Sequence, residues 1–260
     1  MHRRHLRPAV VLVCWIALSV AEPGMAQAPP DGLRTPPQVQ AADLTLEQRG
    51  DLHMARKNYR EAVEAYRQAL PQAKQSVIYN KIGIAYHHLL DFRAARTNYE
   101  RALKADPTYA EAQNNIGAVY YAQKSYRRAV NAYLKALKMS PDSATVYSNL
   151  GTAYFARKRY NEAAKAYREA VARDPAIFDR GGTTGTILQE RSIEERAKFH
   201  YYLAKTYAQA GLNERALEYV RKALEEGFKE RQRFLEEPEF KDLQELPEFK
   251  QLIEAQIRVL

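Results

Sequence analysis

Ala110–Ser143 reads AEAQNNIGAVYYAQKSYRRAVNAYLKALKMSPDS, and this stretch decides the fold. Its glycine, Gly117, has Gly83 34 residues before it and Gly151 34 residues after it. The same interval relates Tyr86, Tyr120 and Tyr154. It relates Ala95, Ala129 and Ala163, and Tyr99, Tyr133 and Tyr167. It relates Ala102, Ala136 and Ala170, and Pro107, Pro141 and Pro175. Six columns that share one period mean that one supersecondary unit is stacked on copies of itself.

The unit is a helix pair. Tyr79, Ile82, Gly83 and Tyr86 fall at i, i+3, i+4 and i+7, one face of a first helix. Ala95, Tyr99 and Ala102 mark one face of a second. Glycine and alanine stand where the helices approach closely, and the tyrosines fill the space left between pairs. Each proline follows the second helix, stops it and lets the next begin. No single pair buries its own apolar face, so at least three must stack.

This pattern of Gly, Tyr, Ala, aromatic, Ala and Pro closely resembles the tetratricopeptide repeat. The full repeats are 76–109, 110–143 and 144–177. A degenerate first repeat spans 43–75, with Gly50, Ala62, Tyr66 and Ala69, and with His53 in the tyrosine column. A degenerate fifth unit spans 193–230, with Ala204, Tyr207, Ala216 and Ala223. The resemblance implies an all-α fold, a right-handed superhelical solenoid of antiparallel helix pairs, whose concave groove binds peptides or protein segments.

Around the repeats the sequence changes character. Arg3, Arg4 and Arg7, the apolar run Pro8–Ala21 and then Gly24-Met25-Ala26 read as a secretory signal peptide over residues 1–26. The expected location is outside the cytoplasm, periplasmic or secreted. An uncleaved anchor is the alternative, although the run is short for a span. Val13 before Cys14 argues against lipid attachment. Pro29, Pro30, Pro36 and Pro37 mark 27–42 as an extended linker. Thr45 and Gln48 have capping-box spacing, as do Ser192 and Glu195. A Gly/Thr-rich insert, 178–192, interrupts the stack. The segments opening at Pro238-Glu239-Phe240 and Pro247-Glu248-Phe249 make 231–260 a C-terminal helical cap, with a dimerisation helix as the alternative.

Catalytic constellations are poor. Cys14, in the export segment, is the single cysteine, so the mature chain offers no thiol nucleophile, cysteine metal site or disulfide. His53 and His200 sit in aromatic columns. His87 and His88 are adjacent and point about 100° apart on a helix. The Gly181-Gly182-Thr183-Thr184-Gly185 run has no following lysine and no preceding strand, so it is no P-loop. Neither an enzymatic activity nor a metal or cofactor is expected.

Two surfaces remain. The resemblance implies that first helices line the groove. Positions at i, i+3, i+7 and i+10 give the candidate peptide-binding residues Asn80, Ile84, His87, Asn114, Tyr121, Ser148, Thr152, Phe155, Tyr201 and Lys205. The amides are read as partners for an extended backbone, Tyr121 and Phe155 as apolar anchors that stand free of the core. Some relatives clamp a chain-terminal carboxylate with Lys, Asn and Arg. The matching places here hold Glu47, Asp51, Asn80, Ile84, Asn114, Ala118, Ser148 and Thr152, and none is basic, so that clamp is not carried over. The second surface is a basic edge of turns, Lys124, Arg127, Arg128, Arg157, Lys158 and Arg159, preceded by Arg56-Lys57. The chain carries net charge +9, while its end from Leu235 is acidic. Hence the expected function is a non-catalytic scaffold binding a protein or peptide in the groove. The alternative is an envelope-associated structural protein docking on anionic membrane or polysaccharide through the edge. A nucleic-acid partner does not fit an exported chain.

Overall fold

The computed structural model describes residues 44–179 and 192–257. The expected signal peptide, the linker 27–42 and most of the insert 178–192 lie outside the described residues. Every element among those described is helical.

Five helix pairs follow one another: α1 (Leu46–Ala55) with α2 (Tyr59–Ala69), α3 (Gln75–His88) with α4 (Phe92–Ala105), α5 (Ala110–Ala122) with α6 (Tyr126–Met139), α7 (Ala144–Ala156) with α8 (Tyr160–Arg173), and α9 (Ile193–Gln209) with α10 (Asn213–Glu225). The cause of each boundary is local. Thr45 opens α1 with a complete capping box: the Gln48 N–H donates to its hydroxyl and its own N–H donates to the Gln48 side chain. Asp91, Ser143 and Ser192 cap α4, α7 and α9 through the N–H groups of Ala94, Val146 and Glu195. At the far ends Asp106, Ser140 and Asp174 are all extended, because the proline that follows each of them excludes the helical region.

The columns find their partners within each pair. Tyr99 and Tyr133 pack against Gly83 and Gly117, so close that a Cβ built on either glycine would sit 2.5 Å from the ring. Gly50 and Gly151 meet Tyr66 and Tyr167 in the same way. All four rings are buried.

A three-residue turn joins the two helices of every pair: Arg56–Asn58, Leu89–Asp91, Gln123–Ser125, Arg157–Arg159 and Ala210–Leu212. The middle residue is left-handed each time, with φ 60° at Lys57, 61° at Leu90, 57° at Lys124, 60° at Lys158 and 70° at Gly211. The hydrogen bonds are those of a Schellman motif. In the second pair the Leu90 N–H donates to the His87 carbonyl and the Asp91 N–H to the Tyr86 carbonyl. Glycine adopts this conformation freely, whereas other residues give up about 1–2 kcal/mol. Four of the five turns carry that strain.

First helices of successive pairs touch, α3 with α5 and α5 with α7, whereas second helices make weaker contacts or none. The stack therefore curves with its first helices on the inside. Beyond Glu225 come α11 (Arg233–Glu236), a 3₁₀ turn (Pro238–Phe240), α12 (Lys241–Gln244) and α13 (Pro247–Ile257). They pack on α9 and α10 and share one core with them: Phe228, Phe234, Phe240, Leu243 and Phe249 are all buried there.

Candidate functional site

The inner wall is built from α1, α3, α5 and α7, and polar side chains zip these helices together. Asn80 is 1% exposed. Its Nδ2 donates to Glu111 Oε1 at 3.0 Å, and its Oδ1 accepts from Asn115 Nδ2 at 2.9 Å. One pair further on, Asn114 Oδ1 accepts from Asn149 Nδ2 at 3.0 Å. One pair earlier, Lys81 Nζ reaches Glu47 and Asp51, each at 2.7 Å, and the Tyr66 hydroxyl donates to Asp51. Burial opposes the Lys81 charge, but the two carboxylates prevail and raise its pKa. Burial, reinforced by Asp51, pushes the Tyr66 phenol well up and keeps it a donor.

The expected groove set is placed differently from the sequence reading. Asn80 and Asn114 do not offer free amides: the next pair occupies both ends of Asn80 and the oxygen of Asn114, whose Nδ2 donates to Asn115 of its own helix. Ser148 and Thr152 are buried, and the Thr152 hydroxyl donates to the Ser148 carbonyl of its own helix. Phe155 is 3% exposed and sits among Tyr160, Phe199 and Tyr202; Tyr121 is 9% exposed and leans on Tyr126. Both belong to the core, contrary to the expectation that they stand clear of it. The cause is the last turn of each first helix, which folds over the aromatic residue opening the second. Tyr201 is fully buried, stacked on Phe228 and donating its hydroxyl to Glu237, and Lys205 pairs with Glu237 at 2.8 Å and Glu239 at 3.2 Å. The C-terminal segment thus covers this part of the wall. His87 is half-buried with its ring edge-on to Phe92; burial, with His88 beside it, lowers its pKa and favours the neutral form. Ile84 is half-buried against the core of the second and third pairs.

What the wall presents to solvent is only part of the expected wall, Glu47 and Ile84 partly and Asp51, Glu111 and Thr145 openly, together with Ala122, and with Ala118 half-exposed between them. The donor asparagines, Asn115 and Asn149, lie one residue beyond the groove positions Asn114 and Ser148. Their signal is a pair of asparagines 35 residues apart, Asn80 with Asn115 and Asn114 with Asn149, the repeat length plus one.

The expected basic edge is on the surface. Lys124, Arg127, Arg128, Lys158 and Arg159 are exposed and Arg157 partly so. Arg128 lies over the Tyr120 ring; Arg159 lies over Tyr154 and pairs with Glu162. Leu89 and Leu90 interrupt the row at the second turn. No group of three or more His, Cys, Asp or Glu able to hold a metal occurs among the described residues.

Comparison with known proteins agrees with the repeat architecture. Two family models, both described as tetratricopeptide repeat, match residues 41–108 and 119–176. No curated protein matches the chain in sequence. Among solved structures, the chain is similar to MamA from Desulfovibrio magneticus RS-1, at 23% identity over 69% of this chain and 92% of that one, with a TM-score of 0.48. It is similar to YrrB, described as a TPR protein with an unusual peptide-binding site, at 17% identity over 77% of this chain and 91% of that one, TM-score 0.45. It is also similar to the second TPR domain of human RPAP3, solved with an HSP70 peptide, at 16% identity over 42% of this chain and 92% of that one, TM-score 0.39.

Proposed function

We propose, from the premise that this chain is a tetratricopeptide-repeat protein, that it is a non-catalytic scaffold whose inner wall binds an extended protein segment. One observation carries this reading. The inner helices are fastened to one another by the Asn80–Asn115 and Asn114–Asn149 bonds, with Asp51 and Glu111 held by Lys81 and Asn80, so the wall is preorganised, and its outward side chains Ala118, Ala122 and Thr145 remain for a ligand. A rigid surface loses little freedom on binding. Affinity capture by the purified chain tests it. Ala118→Arg with Thr145→Arg adds bulk to the wall without removing a core contact. The double variant should keep its helical circular dichroism and lose the partner that the unaltered chain retains in high salt. Equal capture by both would sink the groove.

The export pattern at residues 1–26 supports a site of action outside the cytoplasm. The natural protein should then begin near Gln27 when its N-terminus is sequenced; an intact Met1 would overturn this.

A second reading is favoured by a specific asymmetry. The turns within pairs carry Arg56, Lys57, Lys124, Arg157 and Lys158, while the turns between pairs carry Asp106, Asp142 and Asp174. Base outnumbers acid in the turns within pairs, where Asp91 is the one acid, and acid outnumbers base in the described turns between pairs, where Lys74 is the one base; the basic excess on one edge suits an anionic surface, membrane or polysaccharide, as a docking partner.

A further inference from the structure

Resting on that edge reading, we propose that the turns within pairs form a docking surface for an anionic lipid bilayer, with Leu90 as the apolar anchor that enters it. Leu90 is 72% exposed, more than any other large apolar side chain among the described residues. Its backbone is left-handed, φ 61°, where a leucine is strained. The equivalent turn of the fifth pair meets the same demand with Gly211, φ 70°. Leucine at position 90 therefore serves neither the packing nor the backbone of this fold. An apolar side chain held out in water at a strained turn points to a function at that place.

Its neighbours say which function. Repetition of the pair puts the five turns on one edge, so Leu90 lies between the Arg56-Lys57 turn and the turn of Lys124 and Arg127, with Arg157-Lys158 beyond. Arg56, Lys57, Lys124, Arg127 and Lys158 are exposed, and none has an ion-pair partner among the described residues. Asp91, the acid of the second turn, is engaged in capping α4 through the Ala94 N–H at 2.9 Å. The opposite edge, with Asp106, Asp142 and Asp174, would be held away from an anionic surface, so the charge asymmetry also fixes which edge approaches.

The leucine decides between the two anionic partners. A polyanionic glycan rewards the cations alone. A lipid interface rewards both, since headgroups attract the basic side chains and the acyl boundary accepts the apolar tip. None of the described helices is long and apolar enough to cross a membrane, and an edge contact of this kind requires none.

Vesicle co-sedimentation of the purified chain tests the proposal, with phosphatidylglycerol–phosphatidylcholine vesicles, pure phosphatidylcholine vesicles, and immobilised heparin as a lipid-free polyanion. Leu90→Asn keeps a residue that tolerates the left-handed turn and removes the anchor. It should melt no lower than the unaltered chain, weaken binding to the anionic vesicles about tenfold and leave heparin binding unchanged. Lys57→Gln, Lys124→Gln and Lys158→Gln together should weaken binding to both by roughly a hundredfold, at about 1 kcal/mol per lysine. If heparin is bound but the vesicles are not, the lipid proposal is overturned and the edge is a glycan site; if vesicle binding ignores Leu90→Asn, the apolar anchor and with it the proposal are overturned. If neither heparin nor vesicles are bound, the edge reading itself fails.

Discussion

The two ends of the stack are finished in opposite ways. At the first pair the repeat is altered from within. Arg49 stands where Ile82, Ile116, Leu150 and Leu203 stand in the later pairs, and His53 replaces the column tyrosine. The surface there stays open around a cavity of about 790 Å³ lined by Arg49, His53, Arg60, Glu64 and Tyr86. At the fifth pair the end is covered from outside. Tyr201, Phe228, Phe234 and Phe240 form a continuous aromatic cluster, and Glu237 accepts from Tyr201, Lys205 and Arg233. A repeat array must end in polar surface or in an added lid, and this chain uses one solution at each end. The ends should differ in local stability, because a unit held by one neighbour opens more readily than one held by a neighbour and a lid.

That difference can be broken most severely at Phe234. Phe234→Ala removes a fully buried ring and should cost about 3–5 kcal/mol. Hydrogen exchange should show α9 to α13 losing protection while α1 to α4 keep theirs; uniform loss would show that the ends are not independent. Next in size is one lesion made in the first unit and in the fourth, which has a neighbour on each side. Gly151→Ala and Gly50→Ala each drive a Cβ into a tyrosine ring, an overpacking worth about 1–3 kcal/mol. Urea denaturation should register the larger loss at Gly151. Equal losses would mean that the first pair is as tightly coupled as the fourth.

The lid also carries a pH dependence. Burial works to raise the Glu237 pKa, but the hydrogen bonds from Lys205, Tyr201 and Arg233 outweigh it and hold the carboxyl below the ordinary glutamate range. Its contribution is then complete above that ordinary range and disappears as pH falls through the lower folded value. Thermal melts between neutral pH and pH about 3 should show an acid limb that Glu237→Gln flattens, at a cost near 1–2 kcal/mol at neutral pH. An unchanged limb would place the acid sensitivity elsewhere. The smallest effect is expected at a turn. Leu90→Gly gives the second pair the turn residue of the fifth and should raise stability by roughly 1 kcal/mol, read as an increase of a few degrees in melting temperature.

The repeat architecture was legible because it rests on periodic constraints. Gly117 faces Tyr133, Pro141 ends α6, and each recurs at one interval, so one reading serves every copy. The inner wall was less legible. A helical wheel drawn for α7 alone puts Phe155 off the core face, yet Tyr160 and the fifth pair's Phe199 and Tyr202 close over it. Asn80 looks like a free amide until the following pair brings Asn115 against it. Tyr201 and Lys205 were read as groove residues because nothing local in α9 signals that Glu237, more than thirty residues later, folds back onto them. Burial in the repeating columns follows from periodicity; burial at the last turn of a first helix depends on the aromatic residue after the turn, and burial between units on which residue the next unit brings.

The asparagine bonds bear on how such a chain changes length. Asn115 and Asn149 occupy the same place in consecutive units, and each donates to the unit before it. If residues 110–143 were excised, Asn149 would arrive opposite Asn80 and find the acceptor that Asn115 now uses. The interior is thus written in interchangeable words, each ending in the grammar the next one needs. The fifth unit breaks that grammar, with Tyr202 where the asparagine would stand. Loss of residues 110–143 would shorten the distance between the two ends by a fixed step and remake the asparagine bond, although Thr145 would stand where Glu111 now accepts from Asn80, so this molecule is a ruler from which that mark can be removed but the stops cannot.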